Sequence, residues 1–231
     1  MRRIMLKLSG EALEGTKKEN YSYEFVDSIC KQIKKNFSKK TQIAIMPGGG
    51  NIIRGKMLKN IDKYKADEIG MLSTYMNSIY LQELLSKNGM KSKVYGAFEI
   101  SDIAKVFSKD DILKDMTDGY IIILAGGTGH PYFTTDTGVV LRSIELECDE
   151  LLLAKNIDGV YDKDPVLYKD AKKYNKIKFK DMIEKKLSVI DLSASVLCED
   201  QKLNLRLFSL HEKDAISKAI LGKNIGTLIY S

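Results

Sequence analysis

Short runs of Ile, Leu and Val that end in glycine or turn residues recur along the chain, the pattern of strands buried in a parallel sheet and feeding loops. Residues 4–8 lead into Ser9-Gly10, 42–46 into Pro47-Gly48-Gly49-Gly50, 120–124 into Ala125-Gly126-Gly127-Thr128-Gly129, and 151–154 into Lys155-Asn156-Ile157-Asp158-Gly159. Residues 203–208 and 227–230 read as two further strands. Between them the apolar period changes to that of a helix. Over residues 22–37, Phe25, Val26, Ile29, Cys30, Ile33 and Phe37 share one face, which must pack on a sheet, while lysines take the other. Residues 67–85 repeat the pattern with Ile69, Leu72, Met76, Ile79 and Leu84, and 137–146 and 214–221 are shorter helices. Alternating strands and helices predict an α/β fold, a three-layer αβα sandwich with a mostly parallel central sheet. Ligands are then expected at the loops following the carboxyl ends of the strands.

Composition narrows this. A chain of 231 residues with 44% hydrophobic content suffices for one well-buried core and not for two large ones. No repeat, low-complexity tract or linker interrupts it, so a single domain over 1–231 is expected. Lys and Arg outnumber Asp and Glu by 37 to 31, a balance that suits neither a disordered nor a structural protein. Most of the excess lies in residues 168–186, where eight lysines face Asp170, Asp181 and Glu184. Such a tract attracts phosphates, although composition alone favours a solvated surface. Cys30, Cys148 and Cys198 lie far apart with no CxxC pair, and there are two histidines, so neither a disulfide framework nor a zinc site is supported. A reducing cytoplasm fits. The amino-terminal apolar run before Lys7 is too short for a secretory signal, and no apolar window of about 20 residues exists to span a membrane.

The chemistry lies in three glycine-rich loops, Lys7-Leu8-Ser9-Gly10, Gly48-Gly49-Gly50-Asn51 and Gly126-Gly127-Thr128-Gly129. Glycine exposes backbone N–H groups, and beside a helix amino terminus these form anion sites. One such loop is explained by a tight turn, but three, with Lys7 and Arg54, favour a site for several phosphates. GxxxxGK[ST] and GxGxxG are absent, which disfavours a P-loop kinase and an ordinary dinucleotide fold.

Over essentially its full length the chain resembles the bacterial uridylate (UMP) kinases of the amino acid kinase superfamily. The segments that carry the likeness are Lys7-Leu8-Ser9-Gly10-Glu11-Ala12-Leu13; Gly48-Gly49-Gly50-Asn51 with Arg54-Gly55; Asp67 with Gly70-Met71-Leu72 and Thr74; Gly127-Thr128-Gly129 with Pro131 and Phe133-Thr134-Thr135-Asp136; and Asp158-Gly159-Val160-Tyr161 with Asp164-Pro165. The resemblance implies the amino acid kinase fold, with residues 1–150 mainly binding UMP and 151–231 mainly binding ATP. It implies phosphoryl transfer from ATP to UMP, with magnesium on the nucleotide phosphates; no dedicated protein ligand is assigned to it, and organising it is a secondary role open to Asp136. Such transfer needs alignment and charge neutralisation rather than a covalent nucleophile.

Carried over residue by residue, the resemblance makes Lys7, Arg54 and Asp136 catalytic, Lys7 following the transferred phosphoryl and Asp136 positioning Lys7. It puts ATP on Lys7, Leu8, Ser9, Gly10, Gly50, Arg54, Asn156, Tyr161 and Asp164, with Lys155 an alternative to Asn156. It puts UMP on Gly49, Asp67, Thr128, Gly129, His130, Pro131, Tyr132, Phe133, Thr134 and Thr135, Asp67 holding the ribose hydroxyls. His130 stands where relatives often have asparagine. A homohexamer, inhibition by UTP and activation by GTP are also implied, although the segment Gly15 to Tyr21 lacks the Gly-Phe-Gly that some relatives tie to GTP. The competing readings are a carboxylate or carbamate kinase of the same superfamily, a non-catalytic nucleotide sensor, and, as a minor one, nucleic-acid binding through the lysine tract.

Overall fold

The computed structural model describes residues 1–14, 20–38, 40–53, 58 and 60–231. Among them, strands β1 (Arg2–Leu8), β2 (Thr41–Pro47), β3 (Ser92–Gly96), β4 (Lys105–Val106), β5 (Ile121–Ala125), β6 (Glu150–Lys155), β7 (Lys176–Lys178), β8 (Leu205–Ser209) and β9 (Thr227–Tyr230) form one sheet in the order β4-β3-β5-β2-β1-β6-β8-β9-β7. Every neighbouring pair is parallel except β8 with β9. The α/β sandwich is therefore the observed architecture.

The central strands are apolar throughout because both faces of the sheet are covered. Ile4, Leu6, Ile43, Ile45, Ile121, Ile123 and Leu152 point into one core, roofed by α2 (Tyr23–Asn36), α3 (Lys63–Lys87) and α8 (Ala215–Ile220). Their neighbours Met5, Ala44, Met46, Ile122, Leu124, Leu151 and Leu153 point into the other, beneath α4 (Lys109–Thr117), α5 (Thr135–Glu145), α6 (Phe179–Glu184) and α7 (Leu192–Asp200). A short α1 (Glu11–Glu14) follows β1 directly. No helix among the described residues is long and apolar enough to cross a membrane.

The long helix departs from the expected pattern. α3 begins earlier, where the Asp62 carboxylate caps it by accepting from the Tyr64 N–H (2.9 Å). Its apolar residues Leu72, Met76 and Ile79 are 47%, 52% and 41% exposed, whereas Ser73, Thr74, Asn77 and Ser78 are buried with Leu81, Leu84 and Leu85. Small polar side chains can face the sheet because each finds a partner, as buried polar groups must. The Ser73 hydroxyl donates to the Ile69 carbonyl (3.0 Å), Thr74 to that of Met71 (2.6 Å) and Ser78 to that of Thr74 (2.7 Å). Of the five residues on the expected apolar face, Leu84 is buried and Ile69 half-buried, so hydrophobic period misplaces the face of α3 at Leu72, Met76 and Ile79.

Candidate active site

Strands β5, β2, β1 and β6 lie side by side and run parallel, so the loops that leave their carboxyl ends share one edge of the sheet. The β1/β2 ladder ends with Leu8 opposite Pro47, and the Gly48 N–H then donates to the Leu8 carbonyl (2.8 Å). Beyond that rung the two glycine loops touch. A Cβ on Gly10 would lie 2.2 Å from the Gly50 nitrogen, so no larger residue fits there without moving backbone. Ser9 stands between them, and its buried Oγ has no hydrogen-bond partner within the chain. A phosphate oxygen is the acceptor that such a hydroxyl suits.

Beneath these loops, two lysines from strand ends converge with an aspartate from the first turn of α5. Lys7, at the end of β1 and only 5% exposed, pairs through Nζ with Oδ1 of Asp136. The other carboxylate oxygen accepts from Lys155 Nζ at 3.0 Å, and Lys155, at the end of β6, also donates to the Val189 carbonyl (2.6 Å). Burial pulls the Lys7 ammonium below its ordinary value, the neighbouring Lys155 adds to this, and Asp136 opposes it. For Asp136 burial works the other way, raising its value, but the charges and hydrogen bonds of Lys7 and Lys155 prevail and hold it below the usual carboxylate range. One carboxylate between two ammoniums leaves this triad itself with one surplus positive charge, while Asp191 and Glu11 set two further carboxylates nearby.

Asp136 is placed by its own helix start. The Thr134 hydroxyl caps α5, accepting from the Asp136 N–H (3.0 Å) and the Thr137 N–H (3.3 Å). That cap is held in turn by Asp191, whose carboxylate accepts from the hydroxyls of Thr134 and Thr137 and from the Ala194 N–H (2.8 Å) at the start of α7.

Cavities open on either side of this centre. The first is lined by Gly49, Gly50, Asp67, Thr74, Gly126, Gly127 and the stretch Thr128, His130, Phe133, Thr134 and Thr135. Asp67 in its wall accepts from the Tyr132 N–H (2.7 Å). The second is lined by Lys7, Ser9, Gly10, Glu11, Gly48, Gly49, Gly50, Thr135, Lys155, Asn156 and Val189. Gly49, Gly50 and Thr135 thus form a wall common to both. The second continues through Asn156 into a wider hollow of about 1020 Å³ beside Tyr161, Asp164, Lys185, Lys186 and His211. The whole is a trough with a charged, glycine-walled centre and a nucleoside-sized recess at its far end.

Most of the residues expected from the sequence fall on this trough. Lys7, Ser9, Gly10, Gly50, Asn156, Tyr161 and Asp164 line the second and third hollows. Gly49, Asp67, Thr128, His130, Phe133, Thr134 and Thr135 line the first. Leu8 turns its side chain wholly into the core, so only its backbone can serve a ligand. Gly129 and Pro131 are not among the lining residues of the first cavity, and Tyr132 projects outward, 63% exposed, under the Lys63 ammonium. Arg54 lies outside the described residues, as do Gly55 and positions 15–19. Between Lys155 and Asn156, the lysine enters the charge centre. The asparagine amide instead donates to Glu11 (2.7 Å) and lies 3.2 Å from His211 Nε2. Asp164 already accepts from the Val166 N–H (2.8 Å). Sequence reasoning missed Asp191 and the direct approach of Lys185 and Lys186. For Asp191 the signal was available, since an aspartate ahead of Leu192-Ser193-Ala194 is a helix cap.

A parallel α/β sandwich whose glycine loops divide two cavities, one of them lined by two ammoniums, defines a class of protein that handles phosphoryl groups without a P-loop. Residues 2–209 match the amino acid kinase family, and the chain belongs to that family. It is similar to the UMP kinase of Bacillus anthracis, at 32% identity and a TM-score of 0.95, the likeness covering 99% of this chain and 96% of that one. It is likewise similar to the UMP kinase of Ureaplasma parvum, at 32% identity, a TM-score of 0.94 and coverage of 100% and 99%. The uridylate kinase of Archaeoglobus fulgidus, at 24% identity and a TM-score of 0.74 over 99% of this chain and all of that one, shares the fold.

Proposed function

We propose that this chain is a UMP kinase, transferring the γ-phosphoryl group of ATP reversibly to UMP and giving ADP and UDP. The observation that carries the reading is the wall of Gly49, Gly50 and Thr135 common to two cavities, with Lys7, Asp136 and Lys155 at its foot. UMP occupies the first cavity, its phosphate toward Gly49 and its ribose toward Asp67. ATP occupies the other two, its phosphates on Ser9, Gly10 and Gly50 and its nucleoside beside Tyr161. Residues 1–150 then serve mainly the acceptor and 151–231 mainly the donor.

A UMP phosphate oxygen attacks the γ-phosphorus in line as the bond to the bridging oxygen breaks, and ADP leaves with that electron pair. Lys7 follows the charge on the transferred group, Asp136 fixes Lys7 and Lys155, and Arg54 adds a planar fork of donors. Magnesium would come bound to the phosphates of ATP, where it would neutralise charge.

Steady-state release of ADP with UMP, CMP, glutamate and carbamate as acceptors tests the reading. UMP should be much the best acceptor, and turnover with glutamate or carbamate but not UMP overturns it. Three further elements belong to this proposal. Assembly as a homohexamer is supported by the exposed apolar stripe of α3, and a monomeric mass by light scattering would remove it. Inhibition by UTP and activation by GTP are read from rate against each nucleotide at fixed ATP and UMP. A cytoplasmic location is supported by the three free cysteines.

A further inference from the structure

Under the shared glycine wall lies a polar pair that the chemistry above does not use. Asn77 of α3 is fully buried and Asn51, directly after the triple glycine, is 6% exposed. Their amides bond reciprocally, Asn77 Nδ2 donating to Asn51 Oδ1 (2.7 Å) and Asn51 Nδ2 to Asn77 Oδ1 (3.1 Å). The second N–H of Asn77 goes to the Gly48 carbonyl (2.6 Å), and that of Asn51 to the Asn20 carbonyl ahead of α2 (2.8 Å). All four donors and both acceptors are used. A closed network of this kind holds one geometry, because any displacement strands a polar group in a dry interior.

We propose that Asn51 and Asn77 are positioning residues for phosphoryl transfer, a clasp that fixes the triple-glycine wall and so sets the spacing between donor and acceptor phosphates. This rests on the proposed kinase reading. The clasp grips the wall at both ends, at the Gly48 carbonyl and through the side chain that follows Gly50. The wall is tightly packed at two further points. A Cβ on Gly49 would lie 2.8 Å from Ser73 Cβ and 2.9 Å from the Gly70 carbonyl, and Gly10 abuts Gly50 from the opposite side. α3 is thereby keyed to the loop that both ligands share. An amide suits both positions, since each side chain must donate two hydrogen bonds and accept one. A carboxylate at position 77 would set an anion against the Gly48 carbonyl and the Asn51 oxygen. Nucleoside contacts at Asp67 and Tyr161 lie away from the clasp, so a shifted wall misaligns the reacting atoms more than it weakens either ligand.

The test uses the full chain with Asn77→Asp and, as the milder change, Asn51→Ala. For folded Asn77→Asp, kcat at saturating ATP and UMP is expected to fall at least 30-fold with both KM values within threefold of wild type. Part of the loss should return as pH drops from 8 to 6, because a protonated carboxyl regains one donor. Asn51→Ala is expected to lose five- to tenfold in kcat. Hydrogen exchange at the Gly48 amide, followed without substrates, should quicken in both variants. A kcat within twofold of wild type, a loss confined to one KM, or unchanged exchange in a folded variant overturns the clasp. If wild type does not phosphorylate UMP, the kinase reading fails, and the exchange measurement still decides whether the amides hold the wall. Should Asn77→Asp not fold, Asn51→Ala carries both readouts.

Discussion

Replacing Asp136 by asparagine removes one charge and leaves the shape of the site nearly unchanged, which makes it the sharpest probe of the cleft. In the native protein its two carboxylate oxygens each hold an ammonium, Lys7 on one and Lys155 on the other. Cations bonded to the two oxygens of one carboxylate lie roughly 5–6 Å apart, where unit charges at an effective dielectric of about 20 interact by roughly 3 kcal/mol. The substitution loses two attractions of at least that size and exposes the repulsion between the lysines. Breaking a buried ion pair from one side costs about 3–5 kcal/mol, so the variant should melt roughly 6–20 °C below wild type. With Lys7 displaced from the line of transfer, kcat should fall by about two orders of magnitude or more, since about 1.4 kcal/mol is a factor of ten. Binding should move the other way. Two unneutralised lysines attract polyphosphate more strongly than a neutralised pair, so KM for ATP should be unchanged or lower, and ATP should raise the melting temperature of the variant more than that of wild type. Initial rates over a grid of ATP and UMP, with thermal melts in each nucleotide, measure both. A folded variant whose kcat stays within threefold of wild type, or one whose defect is a raised KM for ATP, would refute the assignment of Asp136.

Asp191→Asn should lower kcat about tenfold through the Thr134 cap while leaving most of the stability, and a variant equal to wild type in both would detach α7 from the site. Gly10→Ala should abolish activity or unfold the chain, because its Cβ would collide with the Gly50 backbone; wild-type turnover would show that the two loops do not touch. Stability should fall in acid. Asp136 and Asp115 are held below the ordinary carboxylate value by lysine neighbours that outweigh the raising effect of burial, so their contribution is complete above the unfolded value of about 4 and is lost as pH falls through the folded values. Urea melts from pH 7 to 3 should show this decline, and a flat profile would contradict it. The thiols of Cys30, Cys148 and Cys198, each pushed up to about 12 by burial, should resist alkylation until the chain unfolds, and rapid labelling of the native protein would show otherwise.

The strands that carry the glycine loops were legible because they are buried on both faces, so their apolar runs stand out and their ends are marked by glycine. β3 escaped notice because Ser92-Lys93-Val94-Tyr95-Gly96 keeps only its last three residues buried, near the sheet edge. α4 and α7 present three buried positions each, one of them polar, too few to set a hydrophobic period. The cleft was legible where its lining residues follow a strand directly, as at Lys7, Ser9, Gly10 and Gly49. It was not legible where a contact is made by folding distance. Asp191 reaches Thr134 across 57 residues, and Asn77 reaches Gly48 from a helix whose apolar stripe pointed to the opposite face. The surplus of lysine gave a correct hint from a partly wrong place. Lys7 and Lys155, which form the centre, lie outside the basic tract, yet the end of that tract, Lys185 and Lys186, does line the nucleoside recess.

The hydrogen bond from Gly48 to Leu8 continues the β1/β2 ladder one rung past the strands themselves. The sheet is therefore a ruler, and the offset between the two ligand loops is read off its register. Adding or deleting one residue within β1 or β2 would turn every later side chain of that strand to the opposite core and slide one loop by a residue spacing of about 3.3 Å against the other. Length change along this lineage should consequently be confined to connections remote from that edge, such as the turn between α4 and β5, while the segments 2–10 and 41–51 keep a fixed count however far their composition drifts.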